Sequence, residues 1–425
     1  MSLSRRQFLR SAAAGAAAFP YYVPPAALGR DGRKPPSQRI TLGSIGVGRQ
    51  GRYNLKAFLQ QGDVQAVAVC DVDSSHREMA MDIIKGARGG GCAEYGDFRE
   101  LLDRGDIDAV VVCTPDHWHG LVCLAAAKAG KDIYCEKPLA NTIAEGRAVA
   151  DTVHKYGRIL QVGSQLRSNS RARFACELVR NGRIGKLHTV MVNMPTGVPR
   201  RLPQAAEPVP ESLDWNFWLG PAPWTAYRKK RCHFHWRWCL EYGGGEITDR
   251  GAHVIDMAQL GLGTDHTGPV KIQGRGERQS EGLYNCFTSY NFECTYATGI
   301  RMVGRSDGVR GLEFIGDEGR VFIDLFGNYV TAEPERLLRE AIGPEEVRLG
   351  RTAGHHRNFL DSVRTRGEPM APVGAGHRTA TICHLVNIAM LTAETLQWDS
   401  QREAVVNSRR ADSMLSRPMR SPWHL

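Results

Sequence analysis

The 425-residue sequence contains no C-x-x-C pair, and its eleven cysteines are an odd number. The missing pairs exclude a disulfide framework of the usual kind. Several cysteines stand in apolar runs, for example Cys70, Cys113 and Cys135. Free cysteine behaves as a small buried hydrophobic residue. We therefore expect all eleven to be structural and reduced.

Long apolar runs, dense Lys/Arg blocks and internal repeats are also missing. No segment after the N-terminus has the length of a membrane-spanning helix, so we expect no stable membrane insertion. The net charge of +10 is spread along the chain rather than gathered in a block, which argues against nucleic acid as a partner. Hydrophobic residues make up 42% and charged residues 24%, as in ordinary globular proteins.

The N-terminus has the pattern of an export signal. Residues 4–10 (SRRQFLR) precede a short, weakly apolar run over residues 11–19, and the paired Arg5 and Arg6 resemble a twin-arginine signal. The alternative is a disordered basic arm. We expect export by the twin-arginine route to the periplasm or cell envelope of a bacterium, with cleavage near Ala26 to Gly29.

The remaining chain predicts two domains. The signal covers 1–29 and a Pro-rich linker 30–39. Over 40–160, apolar strands alternate with helices of about a dozen residues, which predicts an α/β Rossmann domain with a doubly wound parallel sheet. Over 161–425, strand patterns with few helices between them predict an α+β domain with a large, mainly antiparallel open sheet.

A glycine-rich turn follows the first strand. Gly46-Val47-Gly48-Arg49-Gln50-Gly51 is a G-x-G-x-x-G sequence that opens a helix, and such a turn lets a pyrophosphate approach the helix N-terminus. Asp71 ends the next strand, where a carboxylate accepts hydrogen bonds from a ribose diol and repels a 2′-phosphate. The motif predicts NAD rather than NADP; the alternative is a glycine turn that binds no nucleotide.

Two further motifs carry a family resemblance. Glu136-Lys137-Pro138 ends a strand, and Gly243-Gly244-Gly245 precedes Asp249-Arg250-Gly251-Ala252-His253 and Asp256. With these motifs, residues 40 to about 395 resemble the glucose-fructose oxidoreductase / inositol dehydrogenase / rhizopine catabolism (Gfo/Idh/MocA) family. The resemblance implies that Lys137, Asp249 and His253 are catalytic, with His253 as the base.

Physical chemistry agrees with that assignment. A lysine at a strand end supplies a fixed ammonium for a substrate hydroxyl, and Asp249 and His253 are spaced i, i+4, on one face of a helix. Histidine titrates near neutral pH and suits proton transfer. Taken singly, Lys137 is equally a surface lysine, Asp249 a helix cap and His253 a buried histidine. Asp256 is expected to be structural.

Other cofactor candidates stand at the carboxyl ends of parallel strands, where such sheets bind ligands. The resemblance adds Trp118 or His119, for which helix packing is an equal alternative, and Gln165 is a weaker candidate. The full set of predicted cofactor contacts is Gly46, Gly48, Arg49, Gln50, Gly51, Asp71, Thr114, Pro115, Trp118, His119, Glu136, Lys137 and Gln165.

Aromatic residues are concentrated in one segment. Five of the eight tryptophans lie between Trp215 and Trp238, which suits either stacking on sugar rings or packing between domains. The substrate candidates are Arg167, Trp236 and Arg237. No metal site is predicted, because Cys232, His233, His235 and Cys239 match no standard zinc spacing.

These features predict hydride transfer between a sugar or polyol carbinol and NAD. One alternative is a glycoside hydrolase or lyase that oxidises its sugar transiently through bound NAD. Exported relatives of that kind depart from the E-K-P lysine, which this chain keeps. The other is a non-catalytic sugar sensor. The expected partners are a carbohydrate and further copies of the chain in a homo-oligomer.

Overall fold

The computed structural model describes residues 34–88, 91–195, 197, 204–279, 281–324 and 326–425. The predicted export signal lies outside these residues. All eleven cysteines are free, as predicted, and only Cys92 and Cys113 are less than fully buried. Within the described part of the chain, no helix combines the length and apolar character needed to cross a membrane.

The first domain is built on a six-stranded parallel sheet, as predicted, with strand order β3-β2-β1-β4-β5-β6. Its strands are β1 (Ile40–Ile45), β2 (Val64–Cys70), β3 (Ala93–Tyr95), β4 (Ala109–Val112), β5 (Asp132–Cys135) and β6 (Leu160–Val162). Every residue of β4 and β5 is buried, because helices cover both faces of the sheet. The order reverses between β1 and β4, which opens a crevice at their carboxyl ends.

Helices connect these strands. They are α1 (Arg49–Leu59), α2 (Ser74–Arg88), α3 (Phe98–Leu102), α4 (Asp116–Lys128) and α5 (Ile143–Lys155). The sequence patterns predict all of them except α3, and miss β3 as well. These two elements are five and three residues long, which is too short for a hydrophobic period to show.

The second domain contains a nine-stranded mixed sheet of order β13-β12-β11-β7-β10-β9-β8-β14-β15. Only β7 and β10 pair in parallel; the other strand pairs of this sheet are antiparallel among the described residues. The strands are β7 (Leu187–Asn193), β8 (Lys271–Arg278), β9 (Phe287–Thr295), β10 (Arg301–Arg305), β11 (Gly311–Gly316), β12 (Arg320–Asp324), β13 (Val330–Glu333), β14 (Leu396–Asp399) and β15 (Ala404–Val405).

The helices of the second domain are α6 (Ser170–Arg180), α7 (Trp215–Leu219), α8 (Glu246–Asp249), α9 (Gly251–Leu262), α10 (His355–Thr365), α11 (Val373–Thr392) and α12 (Arg409–Asp412). Three of them, α6, α9 and α11, pack against this sheet and form its core. The chain returns to the first domain at α10, where Phe359 and Leu360 join the core around Phe58 and Tyr134. The two domains therefore share buried surface beside the crevice.

Candidate active site

A cavity of about 560 Å³ lies at the carboxyl ends of the parallel strands. The loops after β1, β2, β4 and β5 form its floor, and the aromatic segment and the start of α9 cover it from the second domain. All of the thirteen predicted cofactor residues except Gly51 border this cavity, as do all three predicted catalytic residues.

The glycine loop is shaped for close approach of a ligand. Gly46 has φ +79°, and a Cβ there would lie 2.7 Å from backbone atoms of Cys113 and Thr114. A Cβ on Gly51 would lie 1.9 Å from the carbonyl oxygen of Gly46. Only glycine fits either position. The tight turn presents the N-terminus of α1 to the cavity, which suits a dinucleotide pyrophosphate.

Asp71 lines the cavity and also stabilises the glycine loop. Its Oδ2 accepts a hydrogen bond from the Val47 N–H at 2.8 Å, and its Oδ1 accepts one from the Asp73 N–H at 3.0 Å. The His76 ring nitrogen Nδ1 lies 3.3 Å from Oδ2. The carboxylate therefore has a structural role in addition to the predicted contact with a ribose.

Glu136 is buried and joins α1 to the end of β5. Its Oε1 accepts hydrogen bonds from Gln50 Nε2 at 3.1 Å and Asn54 Nδ2 at 2.8 Å. Gly163 leaves room for it, because a Cβ there would lie 2.9 Å from Glu136 Oε2. Glu136 thus fixes the lysine beside it by holding the strand end against the cofactor helix.

Lys137, Arg237 and Asp249 form what we call the cavity cluster. Lys137 Nζ donates to Asp249 Oδ1 at 2.6 Å and to the Asp249 carbonyl oxygen at 3.0 Å. Arg237 Nε lies 3.4 Å from Asp249 Oδ2. The predicted approach of Lys137 and Asp249 is therefore present, and Arg237, predicted as a substrate residue, joins them.

His253 lines the same cavity, although not through the expected helical face. The helix is interrupted at Arg250, so Asp249 ends α8 and His253 lies in the first turn of α9. Lys137 and Arg237 form ion pairs with the Asp249 carboxylate. The negative charge of Asp249 acts electrostatically on His253, whose pKa it tends to raise.

The electrostatics set the protonation of all three side chains. Burial opposes the charged form of Lys137, but Asp249 and Glu136 outweigh it and raise the pKa of the ammonium. Burial likewise opposes the charge on Asp249, but Lys137 and Arg237 hold its pKa well below the ordinary value. Burial and the charge of Lys137 lower the pKa of His253 to about 3. At neutral pH the site therefore holds an ion pair and a neutral imidazole.

Trp118 and His119 both line the cavity while packing at the start of α4. His119 places Nδ1 2.7 Å from the Pro138 carbonyl and Nε2 2.9 Å from the Thr114 carbonyl, so it links the two strand-end loops. Trp118 donates from Nε1 to the Trp218 carbonyl at 3.0 Å. Trp118 and His119 therefore line the cavity and pack against neighbouring protein groups at the same time.

Asp116 is a cavity residue that the sequence interpretation missed. Its side chain is buried beside the cavity cluster, and burial raises its pKa well above the ordinary value. The absence of a side chain at Gly243 makes room for it, because a Cβ there would lie 3.1 Å from Asp116 Oδ2. Its position directly after Thr114-Pro115, at a strand end, was the available signal.

The residues of the aromatic segment divide between a hydrophobic cluster and the wall of the cavity. Trp215, Trp218 and Trp238 are buried in a hydrophobic cluster of their own, whereas Trp236 and Arg237 line the cavity. The Arg237 guanidinium lies 4.2 Å from the Phe234 ring centroid and 4.8 Å from that of Trp236. Trp218 belongs to this hydrophobic cluster and also lines the cavity.

Arg167 corrects the substrate prediction. It is 2% exposed, and its guanidinium binds Asp256 Oδ2 at 2.7 Å and Asp265 Oδ1 at 2.7 Å. It does not border the cavity. We call Arg167, Asp256 and Asp265 the core cluster. Among the predicted cofactor residues, Pro115 and Gln165 do border the cavity.

Comparison with known families agrees with both domains. Residues 40–164 match the oxidoreductase family described as an NAD-binding Rossmann fold, and residues 171–425 match the oxidoreductase family C-terminal alpha/beta domain. The chain belongs to the Gfo/Idh/MocA family. Its cofactor is accordingly NAD, which the glycine loop and the cavity fit.

Two curated relatives show how low the sequence identity to known proteins is. The uncharacterized oxidoreductase YrbE of Bacillus subtilis is 26% identical over 233 residues, or 54% of this chain and 56% of that protein. Inositol 2-dehydrogenase of Salmonella typhimurium is 28% identical over 186 residues, or 42% of this chain and 54% of that protein. The chain thus spans about half the length of the curated relatives it matches.

A solved structure has the same fold over most of the chain. The aldose-aldose oxidoreductase of Caulobacter crescentus, complexed with glycerol, has a TM-score of 0.64 and 20% identity. The match covers 84% of this chain and 99% of that one. At this identity the likeness establishes the two-domain architecture alone.

Proposed function

We propose that this protein is an NAD-dependent dehydrogenase that oxidises a CH–OH carbon of a sugar or polyol. The observation that carries the proposal is the pairing of Lys137 with Asp249 at 2.6 Å, beside a neutral His253, in the cavity that the glycine loop borders. The inositol and levoglucosan dehydrogenases among the relatives support this substrate class.

The cavity cluster prepares a hydroxyl for proton loss. The ammonium of Lys137 stays charged because Asp249 is beside it, so it can donate a hydrogen bond to the substrate oxygen and favour its deprotonation. Asp249 fixes the ammonium, and Arg237 fixes Asp249 from the other side. Bound NAD supplies the hydride acceptor.

His253 is the proton acceptor in this proposal. Its low pKa makes it a weak base at rest, but the imidazole is neutral and therefore able to accept a proton. An alcohol becomes a far stronger acid as its carbon loses hydride, so a weak base suffices if proton transfer accompanies or follows that loss. His253 is then a late acceptor rather than a base poised near neutral pH.

The substrate side of the cavity suits a ring with several hydroxyls. Trp236 supplies an aromatic wall and Arg237 a polar one, which is the combination that binds the apolar face and the hydroxyl edge of a sugar. The buried Asp116 adds a carboxyl beside the same group of charges, and burial raises its pKa well above the ordinary value. We include all three as substrate-positioning residues in the proposal.

Export and assembly are parts of the same proposal. Arg5 and Arg6 support twin-arginine export of the folded protein to the periplasm or cell envelope, with NAD bound before transport. Replacing both arginines with lysine is expected to leave the precursor in the cytoplasm, and unchanged export in a strain without twin-arginine transport would refute it. A homo-oligomer through the open sheet is proposed by family resemblance, and light scattering tests it.

The test of activity is incubation of the purified protein with NAD and a panel of polyols and glycosides. Stoichiometric NADH, followed at 340 nm, together with a ketone product supports the dehydrogenase. Glycoside cleavage without net NADH would instead identify transient oxidation. Binding without either product would identify a sensor. His253→Ala is the matched control, with turnover expected to fall by about a hundredfold to ten-thousandfold.

A further inference from the structure

Three side chains beside the cavity are not used by the proposed chemistry. Asp73 follows β2, His76 lies in the first turn of α2, and His233 comes from the second domain. One ligand atom from each lies within 4.8 Å of those of the other two. We propose that Asp73, His76 and His233 form a binding site for a divalent transition metal ion, with Zn²⁺ as the best fit.

The donor set selects the class of metal. Two imidazole nitrogens and one carboxylate oxygen favour Zn²⁺ and its first-row neighbours over Mg²⁺ or Ca²⁺, which prefer oxygen alone. Bonds of about 2.0–2.2 Å place two ligand atoms of a tetrahedral ion about 3.4 Å apart. Asp73 Oδ2 and His233 Nε2 are already 3.5 Å apart.

The remaining ligand needs only a small side-chain adjustment. The rings of His76 and His233 are adjacent, with centroids 4.7 Å apart. All three ligand atoms lie within 4.8 Å of one another, so only the side chain of His76 has to move closer to the other two. With three protein ligands, the fourth tetrahedral position is left for water.

Neighbouring groups hold two of the ligands in place. Asp73 is buried, and its Oδ1 accepts hydrogen bonds from the Ser75 N–H at 3.0 Å and the Ser75 hydroxyl at 2.6 Å, which leaves Oδ2 directed at His233. Asp71 Oδ2 lies 3.3 Å from His76 Nδ1. Metal-binding histidines commonly have such a carboxylate on their other ring nitrogen.

The two domains meet in fixed register at this point. The Ser74 N–H donates to the Ser212 carbonyl at 2.8 Å, and the Asp214 N–H donates to the Val72 carbonyl at 3.0 Å. Asp73 and Leu213 form a backbone bridge between these bonds. The segment that leads to His233 is therefore anchored beside Asp73 before any ion binds.

His233 itself has an unfavourable backbone conformation. Its φ is +50°, in the left-handed region that residues with a Cβ seldom adopt. The adjacent Cys232 is buried in the aromatic cluster, whereas the imidazole of His233 is directed outward along the cavity rim. The backbone geometry thus presents this side chain to Asp73 and His76 rather than to the protein core.

The ion would join the domains across the rim of the cavity. His76, His233 and Asp71 all line it, at the end where Asp71 is expected to meet the adenosine ribose. An ion bound to both His76 and His233 would hold the aromatic segment over that end of the cavity. The expected result is slower NAD dissociation in the presence of Zn²⁺, without any part for the ion in hydride transfer.

The test is a metal titration of the reduced, chelator-treated protein. Co²⁺ should bind one equivalent with a visible spectrum of nitrogen and oxygen ligands and no thiolate charge-transfer band, and Zn²⁺ should displace it. His233→Ala and His76→Ala should each weaken binding at least about a hundredfold, since losing even an outer partner costs about 10–100-fold. His235→Ala, two residues away in the same segment, should bind as the unaltered protein does.

Three outcomes would overturn the site. These are no saturable Co²⁺ binding at micromolar concentrations, a thiolate band, and binding that survives in both His76→Ala and His233→Ala. If the variants weaken NAD binding equally with and without Zn²⁺, the histidines contact the nucleotide alone and the metal proposal fails. Because no turnover is measured, these results are independent of the proposed dehydrogenase activity.

Discussion

Two clusters in this molecule each contain a close pair of a cation and a carboxylate, but the pairs differ in their access to a ligand. The cavity cluster pairs Lys137 with Asp249 at 2.6 Å, and the core cluster pairs Arg167 with Asp256 at 2.7 Å. The first pair retains 16% and 24% of its side-chain exposure, the second only 2% and 1%. Cation and carboxylate are equally close in both, but only the first can meet a ligand.

The comparison teaches that buried charge alone does not identify a site. In the core cluster, protein groups already bind the ion pair on its other sides. Asp256 also accepts a hydrogen bond from the Thr379 hydroxyl at 3.1 Å, and the Arg167 guanidinium is shared with Asp265. In the cavity cluster one side of the ion pair borders open volume. Access, rather than the pair itself, separates catalysis from structure.

The matched substitution Lys137→Met should have the largest effect on turnover. It removes the ammonium expected to polarise the substrate oxygen, so kcat should fall by about a hundredfold to ten-thousandfold. Folding stability should change by no more than about 1 kcal/mol, because the pair is partly exposed and Arg237 still neutralises Asp249. Steady-state kinetics and thermal unfolding measure the two quantities, and near-normal turnover would contradict the proposed role.

Arg167→Met should show the opposite pattern. Removing this guanidinium leaves Asp256 buried without its cation, which costs about 3–5 kcal/mol of unfolding free energy. Turnover of the folded fraction should stay within about threefold, because Arg167 does not reach the cavity. Chemical unfolding and activity per folded molecule test this. A specific rise in KM without lost stability would restore Arg167 as a substrate residue.

Asp71→Ser should change cofactor preference by a smaller amount. Loss of a charged acceptor for the ribose diol and of repulsion toward a 2′-phosphate should shift the NAD-to-NADP affinity ratio by about tenfold or more. Both affinities should also weaken, because Asp71 holds the Val47 N–H. Asp97→Ser is the control, since it removes a nearby carboxylate outside the cavity lining. Tighter NADP than NAD binding by the unaltered protein would defeat the argument.

The pH profile should show the smallest effect. With the pKa of His253 lowered to about 3 and that of Lys137 raised above its ordinary value, neither group changes charge between about pH 5 and 9. These two groups should therefore add no limb to log kcat/KM across that range, where His76 and Asp116, both with raised pKa values, are cavity groups that can titrate. An acid limb near pH 6.5, the ordinary value for histidine, that remains in His76→Ala and Asp116→Asn would show that His253 is not shielded by burial and Lys137.

Much of the first domain could be predicted because local patterns decide it. Adjacent residues of the sequence show an apolar strand, a glycine turn and the start of a helix. The two strands occupy residues 40–45 and 64–70, and the glycine loop lies between them. The short elements β3 and α3 were missed because they depend on their neighbours in the fold. The helix α11 is buried along almost its whole length, so it has no polar face to mark its period.

The sequence by itself determined the α/β cofactor domain, the NAD motif and the residue types that carry the chemistry. Each of these motifs is short, and each depends on backbone conformations that glycine, proline and apolar residues dictate locally. Only the tertiary structure decided which charges face a cavity. Arg167 and Lys137 are both basic residues just beyond a strand of the first sheet, but packing of the second domain encloses one and leaves the other open. It also brought Asp73 and His76 to His233 across about 160 positions of sequence, because contacts between domains depend on three-dimensional packing and not on distance along the chain.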